Sequence, residues 1–306
     1  MPSFQNGSVR LFRFAGIDLF LHWSWFLVAA YEINGWTTTY SSRTWNVLEY
    51  LSLFLIVMLH EFGHALACRQ VSGNANRIVL WPLGGVAYVD PPPRPGATLW
   101  SIAAGPLVNV VLVPTLTGLG YLSRYMGWSA AMPNAHALLR AVWFINLSLL
   151  IFNMLPIYPL VGGQILRSLL WFVLGRARSL MVTAFIGFAG VVGLIALAIW
   201  IHSTWFGILS VFILMNCWRG LQQARALSRL AKLPRHLGFA CPSCKTAPPL
   251  GSFWKCPQCA QSFDTFHTQA VCPQCATRFA VTACMDCGRA NPMNDWIVSD
   301  LVASKA

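Results

Sequence analysis

The chain has 306 residues, 56% of them hydrophobic and 10% charged, with 14 tryptophans and a formal charge of +12. Such an excess of apolar over charged residues excludes an ordinary soluble domain and predicts a membrane protein. The positive charge does not require nucleic acid as a partner, because most of it falls in segments placed to face anionic lipid.

The opening stretch "MPSFQNGSVRLFRFAG" lacks a basic start followed by an apolar core and a small-residue cleavage site, so no cleavable signal peptide is expected. Within residues 1–20, "VRLFRFAGIDLFLHW" alternates imperfectly around Ala15-Gly16, which predicts a short amphipathic hairpin at the membrane interface. His22 ends it, in a structural hydrogen-bonding role. Apolar runs near the length of a bilayer crossing follow, at about Leu19 to Ile33, Trp45 to Cys68, Ala97 to Leu122, Ala137 to Leu155, Leu180 to Ile201 and Thr204 to Trp218. The expected class is an all-α polytopic membrane protein of about six transmembrane helices, residues 21–218, multi-pass in the cell membrane. Arginines gather beside alternate spans: Arg10 and Arg13, then Arg69, Arg77 and Arg94, then Arg167, Arg176 and Arg178, and finally Arg219 through Arg235. The opposite loops offer little beyond Arg43 and Arg124, so both termini are expected in the cytoplasm.

Residues 219–238 read as a basic, partly helical linker stopped by Pro234. Beyond it, residues 239–290 carry four CxxC knuckles: Cys241/Cys244, Cys256/Cys259, Cys272/Cys275 and Cys284/Cys287. Successive knuckles roughly ten residues apart place four thiolates around a tetrahedral zinc, and two such modules in tandem predict two structural zinc ions. So small a cytoplasmic segment has too little core to fold without metal. As thiolates on zinc, eight cysteines would lower the net charge to about +8. Cys68 and Cys217 stand apart as buried thiols, and residues 291–306 form a tail. The ribbons suit a protein partner better than nucleic acid: Lys245, Lys255, Arg278 and Arg289 are scattered, and Phe253, Trp254, Phe263, Phe266 and Phe279 read as small cores.

The second span contains "LHEFGHALA", in which His60 and His64, four residues apart, project from one helix face beside Glu61. Two histidines and a carboxylate are costly inside an apolar span and mark function there, so a metal held by the imidazoles is expected, with Glu61 as base. The third span carries "AAGPLVNVV", in which Gly105 permits close helix approach and Asn109 presents an amide within the bilayer. The fourth carries Asn146 and Asn153, seven residues apart on roughly one face, before Pro156 and Pro159.

These motifs, His60-Glu61-Phe62-Gly63-His64, "PLGGVA" at Pro82 to Ala87, "AGPLVN" at Ala104 to Asn109 and "NMLPIYPLVGGQILR" at Asn153 to Arg167, resemble in content and order those of the site-2 protease family of intramembrane zinc metalloproteases. The resemblance covers roughly Val9 to Trp218. It implies a zinc ion held by His60 and His64, a water activated with help from Glu61, and hydrolysis of a peptide bond in or near a transmembrane helix of a membrane-anchored substrate. It further implies that the substrate unwinds and pairs as a strand with the Gly84-Gly85 loop and that Asn109 is a polar partner of substrate or transition state; for Asn153, which could also serve helix packing, coincidence with HExxH favours a substrate-binding role.

One position departs from the pattern. The family's third zinc ligand is an aspartate in Pro-Leu-Asp-Gly, and here the run is Pro159-Leu160-Val161-Gly162. Valine has no lone pair, whereas catalytic zinc takes three protein ligands plus water. The only acidic residue between Glu61 and Asp264 is Asp90, which makes it the surrogate candidate, with Asn153 and Gln164 as poorer neutral donors. Three readings follow: an active zinc endopeptidase with altered coordination, a pseudoprotease that binds transmembrane helices without cutting them, and a membrane-tethered zinc-ribbon adaptor.

Overall fold

The computed structural model describes residues 4–5, 7–35, 40–81 and 84–298. Pro82 and Leu83 of the "PLGGVA" motif, and residues 299–306 of the expected tail, lie outside the described residues. Two units pack separately, residues 1–175 with 182–219, and residues 176–181 with 220–306.

In the first unit the opening residues form β1 (Phe4–Gln5), β2 (Ser8–Phe14) and β3 (Ile17–His22). Ala15 and Gly16 turn between the last two with φ of 48° and 76°, the left-handed backbone that a two-residue hairpin turn requires. After α1 (Ser24–Gly35) and α2 (Arg43–Gln70) the chain returns as β4 (Asn74–Trp81) and β5 (Gly84–Asp90). The five strands form one sheet in the order β1-β2-β3-β4-β5, with β3 parallel to β4 and the other neighbours antiparallel. The expected helical membrane fold with a small cysteine-rich C-terminal unit is present, and this sheet is an addition to it. The strands are short, and their alternation is interrupted by bulges near Arg10/Phe12 and Ala75/Arg77.

One face of the sheet packs on the second half of α2. Ile17, Leu19, Ile78 and Leu80 are fully buried against Val57, Phe62, Ala65 and Cys68. Arg69, at the end of α2, donates to the carbonyls of Ala75 (2.9 Å), Gly16 (3.1 Å) and Ala15, tying the hairpin turn to the helix terminus. His22 is buried, bonded to Ser24 Oγ and stacked on Trp81 at 3.8 Å, a structural role.

The remaining helices are α3 (Pro95–Tyr125), the single turn α4 (Trp128–Ala131), α5 (Pro133–Met154), α6 (Val161–Trp200) and α7 (Thr204–Ala231). Among the described residues four helices are long and apolar enough to cross a membrane: α2, α3, α5 and α6. The 28 residues of α2 extend about 42 Å, more than a hydrocarbon core of about 30 Å. Gly175, with φ 77° and ψ 170°, breaks α6 in a backbone region that essentially only glycine adopts. The expected first and sixth spans correspond to the 12-residue α1 and to α7, whose second half is basic.

The second unit is held by two four-cysteine clusters and two small aromatic cores. Phe266, Trp254 and Trp296 pack around Cys241 and Cys284, while Phe263 and Phe279 pack around Cys256 and Cys272. Trp296 is fully buried although it comes from the segment read as tail. Strands β6 (Trp254–Lys255) and β7 (Ser262–Phe263) pair, as do β8 (Thr282–Ala283) and β9 (Ala290–Asn291).

Candidate metal centre

Helical spacing of four puts His60 and His64 on the face of α2 that meets α3. Both are buried, at 3% and 8% exposure. Two glycines permit the helices to touch there. A Cβ on Gly63 would lie 2.7 Å from the Ala104 carbonyl oxygen, and one on Gly105 would lie 2.3 Å from His64 Nε2.

The hydrogen bonds around the pair fix the tautomer of each ring. Asn146 Nδ2 donates to the Asn109 backbone carbonyl (3.1 Å), which can only accept, so Asn146 Oδ1 is left to accept from Asn109 Nδ2 (2.8 Å). Asn109 Oδ1 therefore faces His60 Nδ1 at 2.6 Å as an acceptor, and the proton of His60 resides on Nδ1. His64 Nδ1 lies 2.9 Å from the Ser101 carbonyl, so it too must be the donor. Each ring keeps its lone pair on Nε2, and the two Nε2 atoms face one another at 3.1 Å. Two inward-facing lone pairs repel unless a cation lies between them, and this donor set fits zinc, whose imidazole ligands commonly donate their other N–H to a carbonyl or carboxylate oxygen.

Glu61 is 6% exposed and accepts a hydrogen bond from the Ala87 N–H in β5 (3.0 Å). Ala87 is opposite Ile78 in β4, yet its N–H points away from β4 to Glu61. The outward-facing amides of β5, at Ala87 and at Gly85 two residues before it, therefore lie along the free edge of the sheet. The sequence had marked Glu61, Gly84 and Gly85, and the structure brings the edge strand that carries the glycines up to the carboxylate.

The model of peptidase family M50 matches residues 49–125 and 120–197. Residues 49–197 thus match peptidase family M50, the site-2 protease family. A zinc metalloprotease of Methanocaldococcus jannaschii is 34% identical over 183 residues, 60% of this chain and 51% of that protein. Stage IV sporulation protein FB of Bacillus subtilis is 35% identical over 118 residues, 38% of each chain. The solved site-2 protease from Methanocaldococcus jannaschii superposes with a TM-score of 0.49 at 26% identity, covering 70% of this chain and 95% of that one. The chain thus spans about half the length of the first of these relatives, and less of the second.

Against the M50 pattern the third ligand is missing from the cluster. Among the described residues no Cys, Asp or Glu brings a ligand atom within 4.8 Å of both imidazoles. Asp90 is exposed at the end of β5, opposite Asn74, and the following Pro91 lies against Gly73, just past the end of α2. The strand that presents Ala87 to Glu61 thus carries Asp90 on toward the helix terminus, away from the pair. Asn153 Nδ2 donates to the Leu149 carbonyl within its own helix (3.0 Å), and Gln164 Nε2 to the Pro159 carbonyl (2.9 Å). Val161 is the first residue of α6, and the loop before it lies close on that first turn: a Cβ on Gly162 or Gly163 would come within 2.5 Å of loop backbone.

Sequence reasoning singled out Asn109 but gave it to the substrate; its side-chain oxygen is taken up by His60. Asn146 was noted only as facing Asn153, and Ser101 not at all. Asn146 is fully buried, and the signal available in sequence was a second amide within an apolar span. A backbone carbonyl such as that of Ser101 leaves no mark in sequence.

In the second unit the knuckles pair otherwise than expected. Cys241 and Cys244 join Cys284 and Cys287, and Cys256 and Cys259 join Cys272 and Cys275, so that one site is nested within the loop of the other. Aromatic packing decides this, since Trp254, Phe266 and Trp296 fill the space between the outer knuckles. Sulfur separations of 3.5–3.7 Å match the edge of about 3.8 Å for a tetrahedron of Zn–S bonds. The Thr277 hydroxyl, 3.1 Å from Cys275, brings that thiol down to about 6, whereas burial pushes Cys287 up to about 11 and Cys284 higher still. Four sulfurs at such spacing can all ionise only around a divalent cation.

Proposed function

We propose that this protein is an intramembrane zinc endopeptidase that hydrolyses a peptide bond in or near a transmembrane helix of a membrane-anchored substrate. The observation that carries the reading is the pair of tautomer-fixed imidazoles with lone pairs converging at 3.1 Å in a buried site. His60 and His64 hold the metal through Nε2. Zinc, when bound there, supplies Lewis-acid polarisation of a carbonyl and makes a water acidic near neutral pH. Glu61 receives the proton from the attacking water and returns it to the leaving amine. Asn109, held by Asn146, and the Ser101 carbonyl keep the rings oriented. The free edge of β5, including Gly84 and Gly85, pairs with an extended substrate segment, since a helical substrate has its carbonyls already bonded. The eight knuckle cysteines hold two structural zinc ions, and the ribbons dock a protein partner. The chain crosses the cell membrane several times with both termini in the cytoplasm.

Val161 supports a second reading, a pseudoprotease that binds transmembrane helices without cutting them. Purified full-length chain in proteoliposomes, offered single-span membrane-anchored peptides, separates the two. The endopeptidase reading expects cleavage that Glu61→Ala lowers by roughly 100-fold or more and three zinc ions per chain, of which His60→Ala removes one. The pseudoprotease reading expects an inert wild type that gains its third zinc only with Val161→Asp; that result would overturn the proposal.

A further inference from the structure

At the end of the bundle formed by the start of α2, the end of α3 and the start of α5 lies a cavity of about 860 Å³, within the roughly 300–1,000 Å³ typical of small-molecule sites. Most of its wall is apolar, including Leu53, Leu116, Phe144 and Ile145. Gly120 lines it too, and a Cβ there would meet nothing within 4 Å, so the space reaches the backbone of α3.

Two arginines share this apolar wall, Arg124 of α3 and Arg140 of α5. Their relative height follows from two bonds between the helices. Ser123 Oγ donates to the Gly120 carbonyl, so His136 Nδ1, 3.1 Å away, donates to it; six residues deeper, Trp143 Nε1 donates to Thr117 Oγ1 at 2.9 Å. That antiparallel register sets Arg140 level with Gly120, one turn or about 6 Å along the axis from Arg124. Neither guanidinium has an acidic partner among the described residues. The one carboxylate in the wall, Glu49, accepts from the Tyr40 hydroxyl at 2.6 Å. Arg140 also stands seven residues inside a membrane helix, where a cation is costly and normally has a counter-ion.

We propose that this cavity is a binding site for an anionic phospholipid, whose phosphate lies between Arg124 and Arg140 and whose acyl chain fills the apolar wall beside Gly120. An acyl chain with one negative headgroup meets both features of the site at once. A transmembrane peptide would fill the apolar part but would leave the paired guanidiniums unanswered along its apolar span. The site is distinct from the histidine pair and does not depend on the protease reading, since binding is measured without cleavage.

The test uses the full chain reconstituted in phosphatidylcholine vesicles containing a minor fraction of phosphatidylglycerol, then extracted in mild detergent for native mass spectrometry. Wild type should retain phosphatidylglycerol in preference to phosphatidylcholine. Arg124→Gln with Arg140→Gln should lower that preference roughly tenfold or more, the loss of charge-assisted contacts. Gly120→Leu, whose side chain enters open space, should displace the lipid while both arginines remain and the protein stays monodisperse. Equal retention of the two lipids by wild type, or no change in the arginine variant, would overturn the proposal. So would a photocrosslinking residue in place of Ala137, in the cavity wall, that captures a co-reconstituted single-span peptide and no lipid.

Discussion

Removal of Asn146 tests the reasoning about the histidine pair most directly, because Asn146 touches neither histidine and acts only through Asn109. In Asn146→Leu the Asn109 amide loses the acceptor of its Nδ2, and nothing prevents it from turning its NH₂ toward His60. An NH₂ facing Nδ1 demands a lone pair there, which moves the ring proton to Nε2, where the metal should bind. Outer-shell partners of this kind are typically worth about 10- to 100-fold in metal affinity, equivalent to roughly 1.4–2.8 kcal/mol. Asn109→Leu should cost at least as much, since His60 Nδ1 then loses its acceptor altogether. The double variant should be no worse than Asn109→Leu alone, because residues acting in one chain are not additive. The assay is chelator competition on the full chain, following the zinc equivalent that His60→Ala eliminates. Zinc affinity in Asn146→Leu within twofold of wild type, or strictly additive losses in the double variant, would refute the tautomer argument.

Three other outcomes follow from the geometry. Gly105→Ala places a methyl 2.3 Å from His64 Nε2, so it should abolish the membrane zinc equivalent and lower helix-bundle stability, read by metal content and thermal unfolding. Nested pairing of the knuckles predicts that Cys241→Ser with Cys284→Ser removes one ribbon zinc while Cys241→Ser with Cys256→Ser removes both; consecutive pairing predicts the opposite, and metal counting distinguishes them. Burial opposes ionisation of Asp264, but the Gly251 amide, His236 and the Phe266 amide outweigh it and hold the carboxyl below its ordinary range. Its stabilisation should be present in full above about pH 4 and lost as pH falls through the lowered value. Asp264→Asn should therefore destabilise the ribbon unit at neutral pH and flatten this part of its acid dependence, followed through Trp254 and Trp296 fluorescence.

The parts of this molecule legible in sequence are those written by spacing within one segment. HExxH declares its face because a helix brings residues four apart together, and the knuckles declare thiolates because CxxC is a local turn. What sequence did not disclose is what depends on segments meeting. The pairing of knuckles was misassigned because chain distance is a poor guide once an aromatic core can hold Cys241 against Cys287 across 46 residues. The hairpin of β2 and β3 was legible in the alternation around Ala15-Gly16, but its extension to a five-stranded sheet was not, because β4 and β5 lie between apolar helices, where alternation is masked. Asn109 was found as a polar residue in an apolar span, but its contact with His60 was not, since only the register of α3 and α5 shows that Asn146 accepts from the Asn109 NH₂ and so turns the Asn109 oxygen to His60.

The same network bears on Val161. If the membrane site held no cation, the Asn146–Asn109–His60 chain and the Ser101–His64 bond would together stabilise the worst electrostatic arrangement available to two neutral imidazoles, lone pair against lone pair. Releasing either ring to its other tautomer would let one Nε2–H donate to its neighbour, and a single apolar substitution at position 109 or 146 would suffice. A site whose purpose was only to pack helices would gain stability from that change. The retained buried amides, together with Gly63 and Gly105 that allow α3 to approach the rings, are therefore an arrangement with a physical rationale only when a cation accepts both lone pairs. On the proposed reading, valine at position 161 weakens the hold on that cation without removing the reason for the rest of the site. On that reading, Val161→Asp should raise zinc affinity by more than the 10- to 100-fold of an outer-shell change while leaving the Asn109–His60 contact intact.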